Sequence, residues 1–89
     1  MYYIVNMRNS NDAPPENLYR VYTAASIGAA IRHYRAQAGI SQADLAESVG
    51  ISPSYLSRLE NGQETEQLRR IVAILKRLGV RMTLQKADW

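Results

Sequence analysis

The chain has no cysteine, no phenylalanine, one tryptophan and one histidine in 89 residues. Without cysteine it can hold neither a disulfide nor a thiolate-bound metal, and it suits a reducing compartment such as the cytoplasm. Without phenylalanine its core must come from Leu, Ile, Val, Ala and Tyr. No apolar run approaches the roughly 20 residues that cross a bilayer. The start lacks a basic segment followed by a long apolar stretch, so no secretory leader and no membrane partner are expected. The one histidine, His33, reads as a surface residue, and the eight acids are scattered. No nucleophile–base set, metal-ligand cluster or glycine-rich phosphate loop emerges, so neither catalysis nor a cofactor is expected.

What is present fits one small domain. Apolar residues make up 46% of the chain, enough for a modest core. Eleven basic against eight acidic residues give a net charge of +3. That balance mildly favours a polyanion and leaves any specificity to particular contacts.

Residues 1–22 read as an N-terminal arm. Met1–Met7 is β-prone, Asn9–Asn17 is rich in turn formers, and Leu18–Tyr22 can be extended. A helix is predicted from Thr23 or Ala24 to Ala38, with Ile27, Ala30, Ile31, Tyr34 and Ala38 on one face and Gly39 as its stop. Ser41 is placed to cap a second helix, with Asp44 at its third position. Leu45, Ala46 and Val49 are expected inward, and Gly50 ends this helix. Ser52 and Pro53 open a third helix, with Leu56 and Leu59 inward and Asn61-Gly62 as its turn. Thr65 opens a fourth, with Leu68, Ile71, Val72, Leu75 and Leu78 as its stripe and Gly79 as its stop. Val80, Met82 and Leu84 then alternate with Arg81, Thr83 and Gln85 as in a strand. Such a strand needs a partner, from the arm or from another chain.

The third helix is the informative one. Ser52, Pro53, Ser54, Tyr55 and Arg58 lie on its outward or N-terminal side. Small polar residues and an arginine suit a helix that reads base edges in a major groove. Ser54 can bond many edges, and Tyr55 can touch a phosphate, meet a thymine methyl or pack on the core. Gln42, with the free N–H groups at the start of the second helix, can hold a phosphate. Asn61 and Gly62 can add backbone contacts. Glu64 and Glu66 follow where basic residues would help such binding. Arg69, Arg70, Lys76, Arg77 and Arg81 make the C-terminal half basic.

Taken as a set, several short motifs form a specific pattern. They are Arg35 four residues before Gly39, Ile40-Ser41-Gln42, Leu45-Ala46, Gly50-Ile51-Ser52, Tyr55-Leu56-Ser57 and Leu59-Glu60-Asn61-Gly62. Residues 23–79, about two-thirds of the chain, resemble the helix-turn-helix domain of the Cro and lambda-repressor-like (XRE) family. The run Leu78–Leu84 narrows the resemblance to HipB-type antitoxins.

The resemblance implies a mainly α fold: a four- to five-helix lambda-repressor-like helix-turn-helix domain with a short C-terminal β-strand paired across a dimer. It implies an arm over 1–22, the DNA-binding domain over 23–79, and a strand and tail over 80–89. Val80, Met82 and Leu84 are the implied dimer strand. Arg35 and Glu60 are an implied structural ion pair linking the first and third helices. DNA contacts fall to Gln42, Ser52, Pro53, Ser54, Tyr55, Arg58 and Asn61. The implied partners are an inverted-repeat duplex, a second copy and a HipA-like Ser/Thr kinase toxin, for which the terminal Trp89 suits a pocket anchor. A phage-type or restriction–modification regulator without a toxin is an alternative. So is a protein-interaction module that has lost DNA binding.

Overall fold

The computed structural model describes residues 18–63 and 65–87. Its elements run β1 (Tyr19–Val21), α1 (Ala24–Ala38), α2 (Gln42–Val49), α3 (Pro53–Glu60), α4 (Glu66–Arg77) and β2 (Met82–Leu84). The Met1–Met7 and Asn9–Asn17 readings, Glu64 and Trp89 lie outside the described residues.

Each helix starts where a hydroxyl can take an unpaired N–H group. Thr23 accepts from Ser26 N, and the Ser26 hydroxyl accepts from Thr23 N at 3.1 Å, a reciprocal box. Ser41, Ser52 and Thr65 accept from the N–H groups of Asp44, Tyr55 and Leu68 in the same way. Asp44 supplies only the backbone half of its expected box, since Ser41 receives its N–H. The turn between α2 and α3 depends on Gly50 at φ 78°, the left-handed region. Gly50 N donates to Glu47 O and Ile51 N to Ala46 O, which closes α2 and sends the chain into Ser52.

α1 is the central element. It packs against α3, β1 and, more lightly, α4, while α2 packs on α3. The core is small-residue rich: Ala24, Ala30 and Ala46 are buried with Val21, Leu56 and Val72. Gly28 explains how α1 and α3 approach so closely. A Cβ on it would stand 1.7 Å from the carbonyl oxygen of Leu59. That neighbour is backbone and cannot rotate away.

β1 and β2 pair antiparallel, with Tyr19 opposite Leu84, Arg20 opposite Thr83 and Val21 opposite Met82. The partner implied to lie across a dimer is thus supplied, along one edge of β2, by the chain's own arm. Buried Val21 and half-buried Tyr19, Met82 and Leu84 alternate with exposed Arg20 and Thr83. The Tyr34 hydroxyl donates to Leu84 O at 3.1 Å, which ties β2 to α1. Tyr19, His33 and Tyr34 form a ring cluster, with His33 edge-on to Tyr34 at 5.1 Å. The side chains of Met82 and Leu84 are therefore partly spent on this chain's own ribbon, and Val80 precedes the strand and is exposed.

Four expected apolar-face positions are exposed, the first being Ala38, the last residue of α1 before the turn at Gly39. Val49, the last residue of α2 before the turn at Gly50, is 60% exposed. Ile71 and Leu78 are exposed too, because α4 rests on its neighbours along a narrower line: Val72 is buried, and Leu68 and Leu75 are half-buried.

Gly28→Ala should destabilise the protein by about 2–3 kcal/mol, the cost of overpacking a close contact, despite alanine's better helix propensity. Urea unfolding checks this. Ala29, one residue on and exposed, is the control. Ala29→Gly should cost only about 1 kcal/mol, the loss in helix propensity.

Candidate nucleic-acid interface

α3 enters the structure through Ser52, whose hydroxyl accepts from Tyr55 N at 3.1 Å and lies 3.3 Å from the Ser54 hydroxyl. Pro53 fills the first turn, where no N–H is needed. Ser52, Pro53, Ser54, Tyr55 and Arg58 are all exposed. The structure thus brings five of the seven expected DNA contacts onto one helix and its cap. Tyr55 and Arg58 also line a shallow open depression with Leu59, Gln63 and Thr65.

The opposite side of α3 is anchored by Glu60. Its side chain is 1% exposed, against 17% for Arg35. Arg35 Nε donates to Glu60 Oε2 at 2.7 Å and Nη2 to Oε1 at 2.9 Å, a two-pronged pair. Arg35 Nη1 donates to Ile40 O at 2.9 Å, so the same guanidinium also clamps the α1–α2 turn. Gln42 Nε2 supplies a third donor to Glu60, at 2.9 Å from Oε1. The Arg35 hydrogen bonds, helped by the Gln42 bond and the Arg35 and Arg32 charges, hold the Glu60 carboxyl below the usual range against the opposing effect of burial. The Arg35 guanidinium is pushed up by the same pair. Glu60 stands at the negative end of α3, where an acid is otherwise unfavourable, so these donors are what hold it there.

Gln42 therefore has a structural part in the fold. Its half-buried amide joins the start of α2 to the end of α3. Nothing in the sequence marked this bond. Gly28 was also missed, although a glycine inside an alanine-rich helix signals close backbone approach. The backbone contacts expected of Asn61 and Gly62 are corrected. Asn61 N donates to Ser57 O and Arg58 O, and Gly62 N to Leu59 O, so both N–H groups close α3 instead. The side chain of Asn61 stays exposed at the end of α3. The acid at Glu66 pairs with Arg70 at 3.1 Å on the exposed side of α4.

A capped helix with an exposed polar and cationic face, held across a short turn by a second helix, defines a helix-turn-helix DNA-binding domain. The Helix-turn-helix (HTH_3) family model matches residues 31–85. The chain belongs to this XRE-type family and is HipB-like within it. An uncharacterized HTH-type transcriptional regulator, y4mF, of Sinorhizobium fredii is 33% identical over 60 residues, covering 67% of this chain and 79% of that one. Antitoxin HipB from two Escherichia coli strains is 31% identical over 65 residues, covering 73% of this chain and 69% or 74% of theirs. No solved structure was found to match the chain.

Glu60→Ala should lower the melting temperature by on the order of 10–20 °C, from about 3 kcal/mol of lost pairing in a domain this size. Exposed Glu47→Ala should barely move it; equal shifts for the two would count against the anchor. The acid limb carries a sign as well. Because folding lowers the Glu60 pKa, its contribution is complete above the ordinary value near 4.3 and fades as pH falls toward the lower folded value. Thermal melts between about pH 5 and pH 2 should show that loss in the wild type and a flatter profile in Glu60→Gln.

Proposed function

We propose that the chain is a sequence-specific DNA-binding repressor that acts as a homodimer on an inverted-repeat site. The observation that carries this is α3 itself: Ser52, Ser54, Tyr55 and Arg58 face solvent while Glu60 is fixed from behind. Arg58 is the principal reader, able to bond both acceptors of one guanine. Ser52, Pro53, Ser54, Tyr55 and the Asn61 side chain meet neighbouring edges and phosphates. Gln42 meets a phosphate beside the N–H groups of α2. Two α3 helices spaced by about one helical turn would enter successive major grooves. Occupying a promoter in that way represses it.

The finer part of the reading is that this repressor is an antitoxin in the cytoplasm. It would regulate its own operon and bind a HipA-like Ser/Thr kinase toxin, and it is not an enzyme. The likeness to Antitoxin HipB supports this, and the terminal Trp89 would be an anchor on that partner. A regulator without a toxin is the second reading. It is favoured by the relative named only as an HTH-type transcriptional regulator. No described helix is long and apolar enough to cross a membrane.

Fluorescence anisotropy with the duplex upstream of the gene and a scrambled duplex, at several salt concentrations, tests the reading. Tight, sequence-dependent binding is expected, weakening as salt rises. Arg58→Ala should lose about 1–3 kcal/mol on the upstream duplex and much less on the scrambled one. Equal or absent wild-type binding to both duplexes, with a folded protein, would discard the repressor and leave a protein-interaction module.

A further inference from the structure

The turn that closes α3 carries a reactive pair. Asn61-Gly62 is the one Asn-Gly sequence in the chain. In such a pair the glycine nitrogen can attack the asparagine carboxamide, because glycine has no side chain to shield it. A bond forms from Gly62 N to Asn61 Cγ and the bond from Cγ to Nδ2 breaks. The amide proton leaves with Nδ2 as ammonia. Water then opens the succinimide ring at either carbonyl, which gives aspartate or isoaspartate. Water is the only co-reactant, and the Asn61 side chain is exposed to it.

The fold holds this attack off. Asn61 has ψ 9°, which turns the Gly62 nitrogen away from the carboxamide carbon, so ring closure needs a large rotation of ψ. The same nitrogen donates to Leu59 O at 3.0 Å, and Gln63 N donates to Arg58 O at 3.0 Å. Gly62 at φ 90° completes this helix-closing motif. Both bonds must open before the ring can form. Glu60, the residue before the pair, is pinned by Arg35 and Gln42, so the anchor of α3 also holds the turn shut.

We propose that Asn61 is a site of spontaneous deamidation, guarded by the closed turn and exposed whenever the end of α3 opens. The product is an acid at the negative end of α3, next to the buried Glu60 carboxylate, where a further negative charge is unfavourable. The isoaspartyl form also lengthens the main chain by one methylene, which puts the two turn bonds out of register. The turn therefore does not close again as before. The effect on DNA rests on the repressor reading above: a carboxylate in place of the carboxamide repels the phosphates it would lie beside. Loosening of α3 is thereby converted into a permanent loss of DNA binding.

The full chain, incubated at mildly alkaline pH in buffer and separately in urea, tests this by peptide mass spectrometry. In urea Asn61 should convert, exchanging the mass of an amino group for that of a hydroxyl. In buffer the conversion should be slower by about tenfold or more, because only the opened turn reacts. Glu60→Ala in buffer should convert faster than the wild type. No conversion in urea would overturn the site. Equal rates in buffer and urea, or no gain in Glu60→Ala, would overturn the guard. Anisotropy on the upstream duplex then follows the samples aged in buffer. The wild type should lose affinity in proportion to the aspartate and isoaspartate formed. Asn61→Gln, whose larger ring closes far more slowly, should keep through the incubation whatever affinity it starts with. An extensively converted wild type that binds like the fresh protein would overturn the effect on DNA. Fresh wild type that ignores both duplexes would discard the repressor reading instead, and the mass readout would still decide the site.

Discussion

The carboxylate of Glu60 is the point on which the rest of the structure turns. It is out of water, at the wrong end of a helix for its charge, and it is stable only because three hydrogen bonds reach it from two other helices. Arg35 brings α1 to it and, through Ile40 O, fixes the start of the turn into α2. Gln42 brings the first residue of α2. A single acid thus registers α1, α2 and α3 against one another, and the outward face of α3 inherits its direction from that registration. The interaction is directional where aliphatic packing is not. In a core made mostly of alanine, valine and leucine, packing alone leaves a short helix free to roll.

The ion pair can form only because α1 and α3 come close together. Gly28 sets that distance from one side and the backbone at Leu59 from the other. Gly28 and Arg35 lie seven residues apart, two turns along α1, so contact and clamp act on the same side of the helix. The β1–β2 ribbon closes the other side of α1 through Tyr34 and the ring cluster. α4 is held more loosely, and its bare apolar edge is the consequence. The surface divides along the same lines: α3 is polar toward solvent, while α4 leaves Ile71, Ile74 and Leu78 exposed.

Much of this was legible from residue types. The four caps, the left-handed glycines, the turn between α2 and α3 and the Arg35–Glu60 pair each follow from local chemistry or from the family resemblance. The outward set Ser52, Ser54, Tyr55 and Arg58 follows from helical period once the caps are fixed. What was not legible depends on three-dimensional placement. Periodicity gave Val49, Ile71 and Leu78 to the core because it reports which residues share a face, not how wide a neighbour covers that face. The strand at β2 announced its need for a partner, yet only the path of α1 decides that Tyr19–Val21 lies beside it. The Gln42–Glu60 bond joins residues 18 apart and has no local signature at all.

The most direct measurement is a double-mutant cycle on Arg35→Gln and Glu60→Gln, read by thermal melting and by anisotropy on the upstream and scrambled duplexes. If the pair sets the direction of α3, each single change should lower both stability and the preference between duplexes. The double variant should then be no worse than the poorer single one. Additive losses, or single variants that melt earlier yet keep the full preference, would contradict that claim and leave the pair as a stabiliser with no part in reading DNA.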